Sequence, residues 1–89
     1  MSPTLATSHF QMFLQQATRF DPTAESVMTP DCLYGLYVSW CRINAYKPKT
    51  DQAFRTGMRR CGVDVANSRL HMTGSAAADY ILSSYPDVA

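Results

Sequence analysis

The stretch "TPDCLYGLYVSWCRINAYKPKTDQAFRTGMRRCG", residues Thr29 to Gly62, contains two helix signals separated by a proline-containing turn. Thr29 is a suitable N-cap, and Pro30 stands at the first helical position, where its missing N–H costs no hydrogen bond. Large apolar side chains then recur at helical spacing and predict a helix at the aromatic centre of the core. They are Leu33, Leu36, Tyr37 and Trp40, with Tyr34 and Cys41 at the edge of the stripe.

The second helix signal comes after the segment "NAYKPKT". Pro48 disfavours helical geometry at the residue before it, and Thr50 is suited to cap the helix that begins after it. At 100° per residue the next segment divides into an apolar and a polar face, and Gly62 suits the left-handed position that ends a helix. The apolar face holds Ala53, Phe54, Gly57, Met58 and Cys61, and the polar face holds Gln52, Arg55, Thr56, Arg59 and Arg60.

An earlier helix and a short strand are predicted upstream of this stretch. The segment "TSHFQMFLQQATRF" offers Thr7 or Ser8 as an N-cap, and an extended piece is expected around residues 26–28. One face of this first helix should be apolar, formed by Phe10, Phe13, Leu14 and Ala17.

Downstream, "VDVANSRLHM" alternates around a polar turn, with Val63 and Val65 before it and Leu70 and Met72 after it, which is typical of a small β-hairpin. A last helix is expected from about Ser75 to Ser84, with Ala77, Tyr80, Ile81 and Ser84 on one face. We therefore predict a mainly α fold with a small β-hairpin, a winged helix-turn-helix. Its order is helix, short strand, helix, helix, hairpin, helix.

Length and composition fit one small domain. The chain has 89 residues, of which 46% are hydrophobic and 17% charged, as in folded globular proteins. We expect a flexible N-terminus over 1–7, a single winged-helix domain over 8–85 and a flexible C-terminus over 86–89. No apolar run reaches the roughly 18 residues of a membrane span, and no secretory signal pattern opens the chain, so a cytoplasmic protein without a membrane partner is expected.

The residues that could carry chemistry are scattered. The three cysteines are an odd number and include no Cys-x-x-Cys pair, so we expect buried free thiols rather than a metal site. His9 and His71 have no candidate nucleophile in a recognised motif beside them. We expect a protein that is not an enzyme and that uses no metal or cofactor.

Positive charge is concentrated in one window. Residues 42–69 hold seven basic and two acidic side chains, a net charge of +5, whereas the rest of the chain carries −4. The formal net charge of +1 therefore conceals a dipolar distribution, and an anionic partner responds to the distribution rather than to the total.

Residues 10 to 63 also resemble the C-terminal winged-helix domain of phage and plasmid primase-helicases. The resemblance implies the winged-helix fold, because most of the matching positions are core positions. The chain lacks a phosphate-binding loop of the Gly-x-x-x-x-Gly-Lys type and has no room for a helicase or primase domain, so it looks like a freestanding relative with a shortened wing, "NSRLHMTG". The residues that carry the resemblance are Phe13, Leu14, Leu33, Tyr34, Tyr37, Trp40, Cys41, Pro48, Phe54 and Gly62.

Together these features predict a small double-stranded-DNA-binding protein, regulatory or accessory to phage or plasmid replication or transcription, with its third helix in the major groove. The alternative is a protein-protein interaction module on the same fold, and a homodimer through the C-terminal helix is open under either function. The predicted DNA-binding residues are Lys47, Lys49, Thr50, Gln52, Arg55, Thr56, Arg59, Arg60, Asn67 and Arg69.

Overall fold

The computed structural model describes residues 5–23, 28–66 and 68–84. These residues contain four helices and one two-stranded antiparallel sheet. The predicted extended piece around 26–28 and the predicted flexible C-terminus over 86–89 lie outside these residues, apart from Met28, which is not in a strand. The elements are α1 (Leu5–Ala17), β1 (Thr18–Phe20), α2 (Pro30–Ile43), α3 (Asp51–Arg60), β2 (Leu70–Met72) and α4 (Gly74–Ser84).

Helix α2 begins as its sequence predicts. The Thr29 hydroxyl accepts a hydrogen bond from the backbone N–H of Cys32 at 3.1 Å, and Pro30 occupies the first turn. Asp31 lies in the same turn, where its negative charge faces the positive end of the helix dipole. The predicted apolar stripe is confirmed, since each of its members is fully buried: Leu33, Leu36, Tyr37 and Trp40.

Helix α3 is also bounded as predicted. The Thr50 hydroxyl accepts from the N–H of Ala53 at 3.2 Å, and Gly62 has a φ of +85° beyond the last turn. The N–H of Gly62 donates to the carbonyl of Arg59, and that of Val63 donates to Met58, which closes the helix end. Phe54, Gly57 and Met58 are buried, but Ala53 is exposed, because it lies at the rim where α3 opens into a groove beside α1.

The core forms where α1 and α2 meet α3. Phe10, Phe13 and Ala17 of α1 are buried as predicted, with Leu14 partly buried beside them. Aromatic rings meet edge to face, with centroids 5.7 Å apart for Phe13 and Trp40. The indole N–H of Trp40 donates to the side-chain oxygen of Gln16 at 2.9 Å, so this buried donor has a partner.

The predicted start of α1 is wrong. The helix begins at Leu5, so Thr7 and Ser8 lie within it instead of capping it. Leucine and alanine at positions 5 and 6 are strong helix formers, and they continue the helix past the polar pair.

The β-hairpin predicted over residues 63–72 is also wrong in its first strand. Leu70–Met72 does form a strand, but its antiparallel partner is Thr18–Phe20, with Arg19 opposite His71. The segment before it turns instead of extending, because the Asp64 carboxylate accepts from the N–H of Ala66 at 3.0 Å. The sheet therefore joins the end of α1 to the chain after α3.

Helix α4 packs mainly against α2. Arg42 donates to the carboxylate of Asp79 at 2.7 Å and to the hydroxyl of Ser83 at 2.9 Å. Ala76 and Ala77 are buried and Tyr80 is partly buried, whereas Ile81 is 48% exposed and does not lie on the packed face as predicted. The side chain of Ser84 lies outside the described part of the structure. No helix in the described parts of the chain is long and apolar enough to cross a membrane.

Candidate nucleic-acid interface

The exposed side of α3 carries a polar stripe, which we define as Gln52, Thr56 and Arg59. Their spacing of i, i+4 and i+7 puts them on one line along the helix. All three are exposed, while Phe54, on the opposite side, is 1% exposed. The burial of one side of α3 is therefore what directs the α3 stripe to solvent.

Two lysines lie in the turn that precedes α3. Lys47 and Lys49 are exposed on either side of Pro48. The backbone of Lys49 is held at both of its polar groups: its N–H donates to the hydroxyl of Tyr37 at 3.0 Å, and its carbonyl accepts from the hydroxyl of Tyr34 at 2.7 Å. This part of the turn is therefore fixed to α2.

A third side chain completes this network from α1. Nε2 of His9 lies 2.8 Å from the hydroxyl oxygen of Tyr37. Burial lowers the pKa of His9, and the positive charge of Lys49 lowers it further. His9 is therefore neutral at pH 7, so its Nε2 can accept the Tyr37 proton while the Tyr37 oxygen accepts from Lys49.

A groove of about 420 Å³ lies on the side of α3 that faces α1. Its cationic side chains are Lys49, before the helix, and Arg60, in the last turn. Thr50, Gln52 and Thr56 also line it and can donate or accept hydrogen bonds. The groove therefore has polar side chains with positive charge on either side of them. It is lined by Phe10, Lys49, Thr50, Gln52, Ala53, Thr56, Gly57 and Arg60.

The other side of α3 is less positively charged, because acidic residues lie close to its arginines. Nε of Arg55 lies 3.1 Å from both carboxylate oxygens of Asp51, and a terminal nitrogen of Arg55 lies 3.7 Å from Asp31. Arg55 is also only partly exposed. A second groove here, of about 470 Å³, is lined by Arg55, Arg59, Gly62, Val63, Asp64 and Val65.

Two of the ten predicted binding residues, Arg69 and Thr50, have other positions or roles, and a third, Asn67, lies outside the described residues. Arg69 donates to the carbonyl of Pro22 at 3.2 Å and its own carbonyl accepts from Asp21, so it belongs to the region after β1 rather than to a hairpin tip. The oxygen of Thr50 caps α3, although its residue lines the first groove. The other seven lie on α3 or in the turn before it: Lys47, Lys49, Gln52, Arg55, Thr56, Arg59 and Arg60.

The positive charge that remains available is smaller than the sequence window indicates. Arg42 is bound to α4 and Arg55 is balanced by carboxylates, so neither contributes its full charge to this surface. Within the described ranges, the cations of the surface that form no ion pair are Lys47, Lys49, Arg59 and Arg60.

The described residues contain no group of three or more His, Cys, Asp and Glu side chains close enough to hold a metal ion. Cys32, Cys41 and Cys61 are free thiols. Burial raises the pKa of Cys41 and of Cys61, which keeps both protonated and weakly nucleophilic at neutral pH.

Sequence reasoning missed the hydrogen-bond network of His9, Tyr34 and Tyr37. The spacing of the two tyrosines indicated that both lie near one face of α2. No sequence signal told which backbone group each hydroxyl would reach, because the partner residue lies 12 to 15 positions away along the chain.

No protein-family model, curated protein or solved structure matches this chain. The resemblance to the winged-helix domain of primase-helicases therefore stays a prediction.

Proposed function

We propose that this protein binds double-stranded DNA through α3, on a fold of the winged helix-turn-helix type. We further propose that it acts in a regulatory or accessory role in replication or transcription, of the kind found in phages and plasmids. Such a role needs an exposed helix that fits the major groove and cations that contact the phosphates beside it.

The observation that supports this proposal best is the combination of the α3 stripe with cations at both helix ends that form no ion pair with any other described residue. Lys47 and Lys49 precede α3, and Arg59 and Arg60 lie in its last turn. An α-helix with its side chains is about 10–12 Å across, which fits the major groove width of about 12 Å. Cations before α3 and in its last turn could then contact the phosphates beside the groove.

The order of the elements gives further support. Helix α2, the turn and α3 follow one another as in a helix-turn-helix, in which the second helix enters the groove. Strand β1 follows α1 and pairs with the strand after α3, as expected for a winged helix whose wing is reduced to one strand. The short wing leaves α3 as the main contact surface of the proposed complex.

Fluorescence anisotropy of a labelled random-sequence duplex, titrated with the protein at several salt concentrations, tests the proposal. We expect micromolar binding at low salt that weakens steeply as salt rises, because phosphate contacts release counterions. Arg59→Ala should weaken binding by about tenfold and reduce the salt slope by about 1. Arg19→Ala, which removes an exposed cation from β1 rather than from α3, is the matched control, and its effect should be smaller.

Circular dichroism of each variant establishes that the fold is intact, which the exposed positions of Arg59 and Arg19 should allow. If the folded wild-type protein shows no affinity for duplex DNA at low salt, the proposal is wrong. If Arg59→Ala binds as tightly as the wild type does, α3 is not the contact surface.

The alternative function, a protein-interaction module, draws its support from α4. Leu82 is 73% exposed and Ile81 is 48% exposed at the end of this helix, where they are accessible to a second copy of the chain or another protein. Sedimentation velocity at increasing protein concentration would reveal a homodimer, and Leu82→Ser should abolish it. A dimer in solution that does not bind DNA would favour this alternative.

A further inference from the structure

We infer that Gln52 is the side chain of the α3 stripe that reads a base, and that it selects adenine at one position of the DNA site. This inference rests on the proposed function and specifies which residue determines its sequence preference. It also assigns Arg55 no part in base reading.

The position of Gln52 is the first reason. It is the second residue of α3, and in helix-turn-helix proteins the N-terminal residues of the recognition helix contact base edges. Thr56 lies one turn further along the same stripe, and Lys49 and Arg60 lie beyond the two ends of this polar pair. Phosphate contacts by the two cations would fix the depth and register of α3, which places Gln52 over the groove floor.

The chemistry of the amide is the second reason. Adenine presents an acceptor at N7 and a donor at N6 in the major groove, and a glutamine amide offers the complementary donor and acceptor in one plane. Gln52 is exposed, and no hydrogen bond within the described part of the chain occupies its amide. Both of its hydrogen-bonding groups are thus available to a base.

The state of Arg55 is the third reason. An arginine on a recognition helix commonly reads guanine, and Arg55 is the arginine nearest the N-terminal end of α3. Its guanidinium contacts both oxygens of Asp51 and lies near Asp31, so reading guanine would break these contacts and bring two carboxylates toward the phosphates. The carboxylates therefore disfavour guanine readout by Arg55.

Selection of bound duplexes from a randomised library, followed by sequencing, tests this inference with wild-type protein, Gln52→Ala and Arg55→Ala. We expect the wild type to enrich adenine at one position by about tenfold or more, in line with the discrimination given by one bidentate contact. Gln52→Ala should lose this enrichment, and its affinity for the enriched duplex should fall to its affinity for random duplex. Arg55→Ala is the matched control and should keep the enrichment.

Three results would overturn the inference: adenine enrichment that persists in Gln52→Ala, guanine enrichment that disappears in Arg55→Ala, or tight binding by the wild type without any base preference. Each is distinct from failure of the proposed function, in which the wild type does not bind random duplex at low salt. Thermal unfolding of the variants, expected to match that of the wild type, confirms that a lost preference does not come from a lost fold.

Discussion

Nε2 of His9 lies 2.8 Å from the hydroxyl oxygen of Tyr37, although the two residues are 28 positions apart in the sequence. The same hydroxyl accepts from the backbone N–H of Lys49, so one tyrosine joins α1, α2 and the turn before α3. The hydrogen bond that holds the turn before the proposed DNA-binding helix is thus made by a side chain of the aromatic core.

This network predicts that stability falls as the solution becomes mildly acidic. Burial and the charge of Lys49 lower the pKa of His9 in the folded protein below its ordinary value of 6.5. Below pH 6.5, His9 therefore binds a proton more readily in the unfolded chain than in the folded chain. The free energy of unfolding decreases from pH 6.5 down to the pKa of His9 in the folded protein. Urea unfolding midpoints measured between pH 8 and pH 5 should reveal the decrease, and His9→Gln should flatten it.

His71→Gln is the control for this measurement, because that imidazole is exposed on β2 beside Asp21 and makes no contact with Tyr37 among the described residues. This variant should retain the decrease of the wild type. A wild-type midpoint that is constant from pH 6.5 to pH 5 would show that His9 is not protected from protonation.

Removing the Tyr37 hydroxyl should cost more than removing that of Tyr34. In Tyr37→Phe, the N–H of Lys49 and the ring of His9 lose their partner next to the core, which we expect to cost about 1–3 kcal/mol. In Tyr34→Phe, the exposed carbonyl of Lys49 can bond water instead, so the cost should be about 0.5 kcal/mol. Chemical denaturation of both variants at pH 7 measures the difference, and equal costs would contradict the role given to Tyr37.

Gly57 should not tolerate alanine. A Cβ atom there would overlap two carbon atoms of the buried Phe10 ring, so a shift of the ring or of α3 is unavoidable. We expect Gly57→Ala to destabilise the protein by about 2 kcal/mol, despite the better helix propensity of alanine. A thermal unfolding series with Phe10→Leu and the double variant checks the cause, since the smaller side chain should remove part of the penalty.

Gly62→Ala is the matched control for this series. Apart from its chain neighbours, no described residue has an atom within 4 Å of a Cβ atom at that position, so its cost comes from a φ of +85° and should not depend on Phe10. Additive effects for Gly57→Ala and Phe10→Leu would contradict the contact.

Local signals were sufficient to predict the two central helices. The threonine caps, the proline positions and the spacing of apolar residues act over a few residues, and both N-caps and the end of α3 at Gly62 are confirmed. The sheet was not predictable in this way, because β1 and β2 are about 50 positions apart and each has only three residues. Short segments of this kind are fixed by tertiary pairing rather than by their own pattern.

The candidate surface was predictable only in part for a similar reason. Periodicity shows which residues of α3 point outward, and the α3 stripe follows from it. It does not show which arginines are balanced by acids: Asp31 reaches Arg55 from another helix, and Asp79 reaches Arg42 from α4. A sum of charges along the sequence therefore overstated the positive charge available to a partner.

The end of α2 offers a substitution that should increase stability. Ala45 has a φ of 60°, a left-handed conformation that costs an alanine about 1 kcal/mol. The helix ends there with two hydrogen bonds: the N–H of Ala45 donates to the carbonyl of Arg42, and the N–H of Tyr46 donates to the carbonyl of Cys41. Ala45→Gly removes the strain but gains freedom in the unfolded chain, so we expect a net stabilisation of about 0.5 kcal/mol. Ala53→Gly, an exposed position inside α3, should instead destabilise by about 1 kcal/mol. Opposite shifts of the urea midpoint would confirm the left-handed residue, whereas two losses of similar size would show that Ala45 is not held in that conformation.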